Sequence, residues 1–148
     1  FWTPKEPCVP LQERLFSYRL HWGDKPPVTP ALAHVVATRT GIGGVIGQPR
    51  TRYSRRFAID FTGGELARLP KKADVEPVIE VSRGKINVPS ARPLHAINGY
   101  RAIFDLEPTD ESLEPYNLRL YLRSGDKPLT ETWLYQWSIP PEGKRMLW

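Results

Sequence analysis

Hydrophobic and polar residues alternate along several short stretches of the chain, with the period of two that is typical of β-strands with one buried face. The clearest pair of stretches, 116–123 and 130–137, flanks a Ser-Gly-Asp-Lys-Pro segment at 124–128. Glycine tolerates a positive φ and proline cannot continue a paired ladder, so this region predicts a β-hairpin. The return strand places Trp133, Tyr135 and Trp137 on one face, which favours a core or an interface for that face.

The same alternation predicts strands upstream, at 15–22, 33–40, 53–61, 75–83 and 100–106. Pro77 predicts that 75–83 is an edge strand or contains a bulge, and residues 85–88 can extend the sheet. Asn98 and Gly99 predict a tight hairpin between strands 94–97 and 100–106. A short helical turn is expected only within 62–70.

Short strands and sixteen prolines spread along the chain argue against long helices. We therefore predict an all-β fold, an immunoglobulin-like antiparallel β-sandwich of about seven to nine strands. A single-domain barrel is the alternative. Residues 1–11 are expected to form a linker, residues 12–138 the sandwich and residues 139–148 a tail. No apolar run approaches the roughly 20 residues of a transmembrane segment.

The net charge of +5 is unevenly distributed. No Asp or Glu lies between Lys25 and Ile59, whereas a basic cluster at 50–56 contains Arg50, Arg52, Arg55 and Arg56. This cluster can be a solvated loop, or it can hold an anionic or polymeric ligand or an acidic face of another domain. Nucleic acid is not predicted as a partner, because one short cluster without a reading motif is weak support for it.

Catalytic residues, metal ligands and cofactors are not predicted. The three histidines lie in different strands, no serine occupies a Gly-x-Ser-x-Gly motif, and the single cysteine, Cys8, lies in a proline-rich stretch. The glycines of 41–47 lack the dinucleotide-binding spacing. Asp60, Asp105 and Glu107 are the carboxylates to consider for a glycosidase pair. We interpret Asp105 and Glu107 instead as a solvated strand end that runs into the acidic loop 107–114.

Aromatic side chains can serve as stacking platforms for sugar rings, but we expect most of them to fill the core. Trp22, at the end of the predicted strand 15–22, is the better candidate for an exposed platform. Phe1 and Trp2 would also be exposed unless another part of the protein covers them.

Three segments together resemble the carboxy-terminal domain of the periplasmic glucan biosynthesis family (OpgG/OpgD, also called MdoG/MdoD). The first is FWTP at 1–4 leading into FSYRLHWG at 16–23, the second is RFAIDFTGG at 56–64, and the third is LTETWLYQW at 129–137. The resemblance covers nearly the whole chain and does not distinguish the two branches of the family.

The resemblance implies a two-domain secreted protein of Gram-negative bacteria that acts in the periplasm on osmoregulated glucans with a β-1,2-linked backbone. A large amino-terminal β-sandwich would carry the sugar-binding cleft and the catalytic carboxylates, and the OpgD-like branch is similar to a β-1,2-glucan hydrolase. Phe1 and Trp2 would be the end of that domain's last strand. This chain would then be an accessory domain that packs on the larger one and is not an enzyme by itself.

Two alternative functions stay open. The chain can bind glucan on its own through Trp22 and the Arg50–Arg56 loop, or its basic cluster can dock on the membrane glucan synthase or on anionic lipid headgroups. The residues predicted to contact carbohydrate or another domain are Phe1, Trp2, Trp22, Arg50, Arg52, Arg55 and Arg56.

Overall fold

The computed structural model describes residues 4–24, 27–70 and 73–145, and within them eight β-strands form two sheets. The strands are β1 (His34–Ile42), β2 (Arg55–Thr62), β3 (Glu76–Val81), β4 (Lys85–Leu94), β5 (Gly99–Glu107), β6 (Tyr116–Ser124), β7 (Lys127–Pro128) and β8 (Trp133–Trp137). Three-residue 3₁₀ turns lie at Leu66–Arg68, His95–Ile97 and Glu142–Lys144. The first turn confirms the helical turn that was predicted within 62–70, and the other two show that the expectation of a single helical turn was wrong.

The strand order matches that of immunoglobulin domains. The first sheet has the order β1-β2-β5-β4, and in the second sheet β6 pairs with β3 on one side and with β7 and β8 on the other. Every strand pairing is antiparallel. Apart from the two-residue β7, this is the ABED and CFG arrangement of a constant-type immunoglobulin sandwich. The structure thus confirms the predicted fold class, and β3, which contains Pro77, is an edge strand as expected.

The core lies between the two sheets and is built around Phe57. Its ring stacks on Phe104 at a centroid distance of 5.1 Å and meets Trp133 and Trp137 of the second sheet edge-on at 6.1 and 6.0 Å. Edge-to-face and offset-stacked rings are the favoured aromatic geometries. The indole Nε1 of Trp133 also donates a hydrogen bond to Thr38 Oγ1 at 2.9 Å, which joins β8 to β1. Trp133 and Trp137 of the predicted aromatic face therefore lie in the core, whereas Tyr135 between them is 38% exposed.

The predicted strand over 15–22 is wrong for this chain. These residues belong to neither sheet, and Phe16, Tyr18, Leu20 and Trp22 are all exposed. Packing of the described residues begins at Ala33, which is fully buried and exchanges backbone hydrogen bonds with Leu129 and Glu131. The alternation that predicts a strand is present, but no strand of this sandwich pairs with it.

The hairpin at Asn98 also differs from the prediction. β4 and β5 do pair, but β4 ends at Leu94, and His95–Ile97 form a 3₁₀ turn rather than a strand. Asn98 adopts the left-handed conformation, with φ 48° and ψ 48°, and its N–H donates to the His95 carbonyl. Asparagine tolerates that conformation, so it ends the turn here instead of forming half of a two-residue hairpin loop.

Candidate functional site

The outer face of the first sheet carries two buried carboxylates. Residues alternate along β2 and β5, so that Phe57 and Phe104 point into the core while Asp60 and Asp105 lie on the opposite face. Both aspartates are nevertheless buried, at 3% and 2% exposure. Buried carboxylates require partners, and arginines from neighbouring strands supply them.

Asp60 is held between two arginines. Arg101, its cross-strand neighbour on β5, donates from Nε to Oδ1 at 2.6 Å and from Nη2 to Oδ2 at 2.9 Å. Arg39 of β1 forms an ion pair with Oδ2 from the other side. The hydrogen bond from Arg101 lowers the pKa of Asp60 below its ordinary value, against the opposing effect of burial. This carboxylate is therefore held in the ionised form.

Asp105 fixes the glycine-rich connection that follows β1. It accepts two hydrogen bonds from Arg56, at 2.7 and 2.8 Å, and one from the Gly44 N–H at 2.8 Å. Arg56 in turn donates to the Gly44 carbonyl at 2.9 Å. A Cβ on Gly43 would lie 2.3 Å from Ser54 Oγ and 2.9 Å from the Asp105 carboxyl carbon, so the backbone approaches this pair as only glycine can. Asp105 is a buried structural partner, and the interpretation of a solvated strand end was wrong for it.

Glu107, two residues further along β5, has a third set of partners. It accepts hydrogen bonds from Arg52 at 3.0 Å and from Asn87 at 2.9 Å. The hydrogen bond from Arg52 is the main cause of a lowered pKa of Glu107, and the hydrogen bond from Asn87 adds to it. The excess of positive charge at 39–56 is thus partly neutralised by acids that lie later in the sequence.

The four predicted arginines do not form one open cluster. Arg56 faces Asp105, Arg52 faces Glu107, Arg55 donates to Thr40 Oγ1, and Arg50 Nε donates to the Gly43 carbonyl at 2.7 Å. Arg52 lines a recess with Asp110 and Arg145, and Arg56 lines a different one with Ile46 and Val88. Their role in binding glucan or another domain stays a prediction.

Of the predicted aromatic contacts, the structure describes only Trp22. Trp22 is 93% exposed and lies in the segment before the sandwich. Phe1 and Trp2 lie outside the described residues, as does Trp148. Contact of these side chains with carbohydrate or with another domain also stays a prediction.

The two buried aspartates are too far apart to act together on one bond. Asp60 lies on β2 opposite Arg101, and Asp105 lies on β5 opposite Arg56. Four residues of strand separate these cross-strand pairs, which corresponds to about 13 Å. The two carboxylates of a glycosidase lie only about 5–9.5 Å apart. Both aspartates also bind arginine rather than facing a cleft.

No group of three or more metal-ligating side chains comes together in the part of the chain that the structure describes. His21 lies in the exposed segment, His34 lies on β1, and His95 begins a 3₁₀ turn. Among the described residues, no helix is long and apolar enough to cross a membrane.

Sequence reasoning missed Arg39 and Arg101 as partners of Asp60. Arg101 faces Asp60 only because β2 pairs with β5, a strand that follows two intervening ones. The sequence could have shown only that Asp60, Arg39 and Arg101 each lie on the polar face of a strand with alternating residues.

Comparison with known proteins identifies the family. The family described as "Periplasmic glucan biosynthesis protein, MdoG" matches residues 1–137. "Glucans biosynthesis protein D" of Stenotrophomonas maltophilia (strain K279a) is 60% identical over 143 residues, which cover 97% of this chain and 27% of the relative. The protein of the same name from Xanthomonas axonopodis pv. citri (strain 306) is 57% identical, with 100% of this chain and 28% of the relative covered.

A "Probable glucans biosynthesis protein D" from Shewanella oneidensis (strain MR-1) is 56% identical over 147 residues, which cover 99% of this chain. The chain spans only about a quarter of the length of these relatives, 27% in the Shewanella protein. The segments noted in the sequence and these matches point to the same family. The chain belongs to the periplasmic glucan biosynthesis protein family.

Proposed function

We propose that this chain is a non-catalytic accessory domain of a periplasmic glucan biosynthesis protein and supports the processing of β-1,2-linked glucan by the rest of that protein. Its family membership and the names of its relatives support a role in glucan biosynthesis. The periplasm is the proposed location, and the remaining part of the full-length protein is the proposed partner. The match covers only 27% of the Stenotrophomonas maltophilia relative, so the rest of a protein of that length is long enough to contain a separate catalytic domain.

The arginine pairing of the buried carboxylates is the observation that carries the non-catalytic part of this proposal. A general acid in a glycosidase needs a raised pKa so that it holds a proton near neutral pH. The pKa of Asp60 is shifted in the opposite direction by Arg101. Asp105 is bound by Arg56 through both of its oxygens.

A hydrolysis assay tests this proposal directly. Linear β-1,2-glucan is incubated with the 148-residue chain and, in parallel, with the full-length protein, and new reducing ends are measured. We expect no turnover by the chain alone, whatever the full-length protein does. Turnover by the chain alone that disappears in Asp60→Asn or Asp105→Asn, while circular dichroism shows that the variant stays folded, would place the chemistry within this domain and overturn the proposal.

Glucan binding by the chain itself stays a prediction. The exposed indole of Trp22 supports it, whereas the internal partners of Arg52 and Arg56 leave these two side chains less available for a ligand. Docking on the membrane glucan synthase likewise stays a prediction.

A further inference from the structure

Residues 15–22, called here the outlying segment, expose more apolar side chain than a folded domain normally tolerates in one place. Phe16 is 74% exposed, Tyr18 79% and Leu20 66%, and Trp22 is almost fully exposed. Removal of four large apolar side chains from water lowers the free energy of the protein. All buried hydrophobic residues of the described chain lie at Ala33 or later, so this sandwich does not bury them.

The arrangement of these side chains is that of a strand. Phe16, Tyr18, Leu20 and Trp22 occupy the even positions, and Ser17, Arg19 and His21 occupy the odd positions between them; Leu15, at the start of the segment, is the one apolar residue at an odd position. In an extended backbone, alternate residues point to opposite faces, so the segment has one apolar and one polar face. The backbone of 12–22 has no helix, turn or strand, and none of the backbone hydrogen bonds of the described residues involves 15–22. Its peptide groups are free to pair with another strand.

The segment is attached to the sandwich by a short connection. The sequence has proline at positions 26, 27 and 30, and the first buried residue is Ala33, whose N–H donates to the Leu129 carbonyl at 3.1 Å. Proline restricts the backbone and favours extended conformations. The outlying segment can therefore pair with a strand outside the sandwich without disturbing the sandwich itself.

We propose that the outlying segment is a β-strand that pairs with an open sheet edge in the remaining part of the full-length protein and buries its apolar face there. This inference rests on the proposed accessory role. Strand addition supplies both missing elements, a backbone partner and cover for alternate side chains. The polar face would then face solvent, as in many antiparallel sheets.

The size of the segment favours a partner within the same polypeptide. Stable interfaces between separate proteins use about 20–30 residues on each side, and the outlying segment supplies eight. Covalent connection removes most of the cost of bringing the two partners together. Relatives in which the matched region is only 27% or 28% of the chain have the length required to provide such a sheet.

Hydrogen exchange of the backbone amides tests this proposal in the isolated chain and in the full-length protein. In the isolated chain, amides 15–22 should exchange as in an unstructured peptide. In the full-length protein, alternate or all amides of the segment should exchange at least roughly tenfold more slowly, because hydrogen-bonded amides must open before they exchange. Equally fast exchange in both proteins would overturn the proposal.

Two neighbouring substitutions provide a matched pair. Leu20→Asp places a charge on the apolar face, and Arg19→Asp places the same charge on the polar face. In the full-length protein, the first should abolish the protection of 15–22 and the second should retain it. In the isolated chain, both should leave the unfolding midpoint unchanged. If Leu20→Asp prevents accumulation of the full-length protein, Tyr18→Ser should reduce the protection relative to Ser17→Asp. Equal effects on the two faces would contradict a one-sided strand.

Other occupants give different results. Protection in the isolated chain that increases with protein concentration would identify a second copy as the partner, and protection induced by linear β-1,2-glucan would identify a sugar platform. Either result would overturn the proposal. The outcome is also separable from the proposed function, because hydrolysis by the isolated chain would refute the accessory role without affecting the exchange pattern.

Discussion

Asp60 shows at the scale of single residues how this sandwich holds a charge out of water. Its side chain is 4% exposed, whereas the side chains of the two arginines that bind it, Arg39 and Arg101, are 59% and 34% exposed. The arginines thus remain partly solvated while the carboxylate receives their hydrogen bonds. Removal of the carboxylate would leave two guanidinium groups crowded together without their shared acceptor.

We expect Asp60→Asn to lower the free energy of unfolding by about 1–3 kcal/mol, because it breaks charged hydrogen bonds to a buried acceptor. Urea denaturation measures the change. Glu80→Gln is the matched control, since Glu80 and Arg119 form a cross-strand ion pair in which both side chains are about half exposed. That substitution should cost about 0–1 kcal/mol. Equal losses in the two variants would show that burial of Asp60 is unimportant.

The same carboxylates predict how stability depends on pH. The pKa values of Asp60 and Glu107 are lowered in the folded chain by their arginine partners, Arg101 and Arg52. The unfolded chain therefore binds these protons more tightly than the folded chain. The stabilisation is fully present above the unfolded carboxyl values of about 4 and is lost as pH falls through the lowered folded values. Urea midpoints between about pH 7 and about pH 3 should fall less steeply in Asp60→Asn than in the unsubstituted chain. Parallel curves would contradict this assignment.

At the scale of elements, alternation alone located most of the strands. β2, with Phe57, Ile59 and Phe61 all fully buried, and β6 lie close to their predicted positions because each has one core face and one outer face. The hairpin at Asn98 could not be predicted, since the left-handed conformation of asparagine fits both a tight hairpin and the end of a 3₁₀ turn. We expect the packing around Gly99 to decide between the tight hairpin and the 3₁₀ turn.

Gly99 provides a test of that packing. A Cβ at this position would lie 1.9 Å from the carbonyl oxygen of Phe61, on the neighbouring strand. Gly99→Ala must therefore push β5 away from β2, and we expect a loss of about 1–3 kcal/mol in the free energy of unfolding. Gly41→Ala on β1 is the control, because nothing lies within 4 Å of its Cβ position; its effect should stay within about 0.5 kcal/mol. A tolerated Gly99→Ala would disprove the close approach of β2 and β5.

At the scale of the whole molecule, the sequence predicted the fold class but not the internal partners of the charged residues. Alternation and turn residues are local signals, whereas the pairing of β2 with β5 joins residues about 40 positions apart, such as Asp60 and Arg101. The candidate arginines were found as a cluster of charge, but their acceptors Asp105 and Glu107 lie on a strand that the cluster does not adjoin in sequence. The outlying segment was wrongly predicted as a strand of this sandwich because alternation is a local signal that does not show whether a neighbouring strand pairs with it.

The position of the core predicts that the first thirty residues can be removed. Apart from the half-buried Arg14, every described residue before Ala33 is exposed, and none contributes to the hydrophobic core. A chain that begins at residue 31 should therefore fold with nearly the same unfolding midpoint and the same cooperative transition as the 148-residue chain. Thermal denaturation followed by circular dichroism measures both. A large loss of stability would show that the early residues pack on the sandwich.

The hydrogen bond from Trp133 to Thr38 has a practical consequence. It fixes the indole of Trp133 between the two sheets, whereas the indole of Trp22 is exposed to solvent. Emission from Trp133 should be shifted to shorter wavelength and protected from quenching by iodide. Emission from Trp22 should be quenched at low iodide concentration. The chain has three further tryptophans, Trp2, Trp137 and Trp148, so Trp22→Phe assigns the emission of Trp22 by difference. That difference reports on coverage of residues 15–22 without an added dye, and the iodide-resistant emission of the buried Trp133 and Trp137 reports on separation of the sheets.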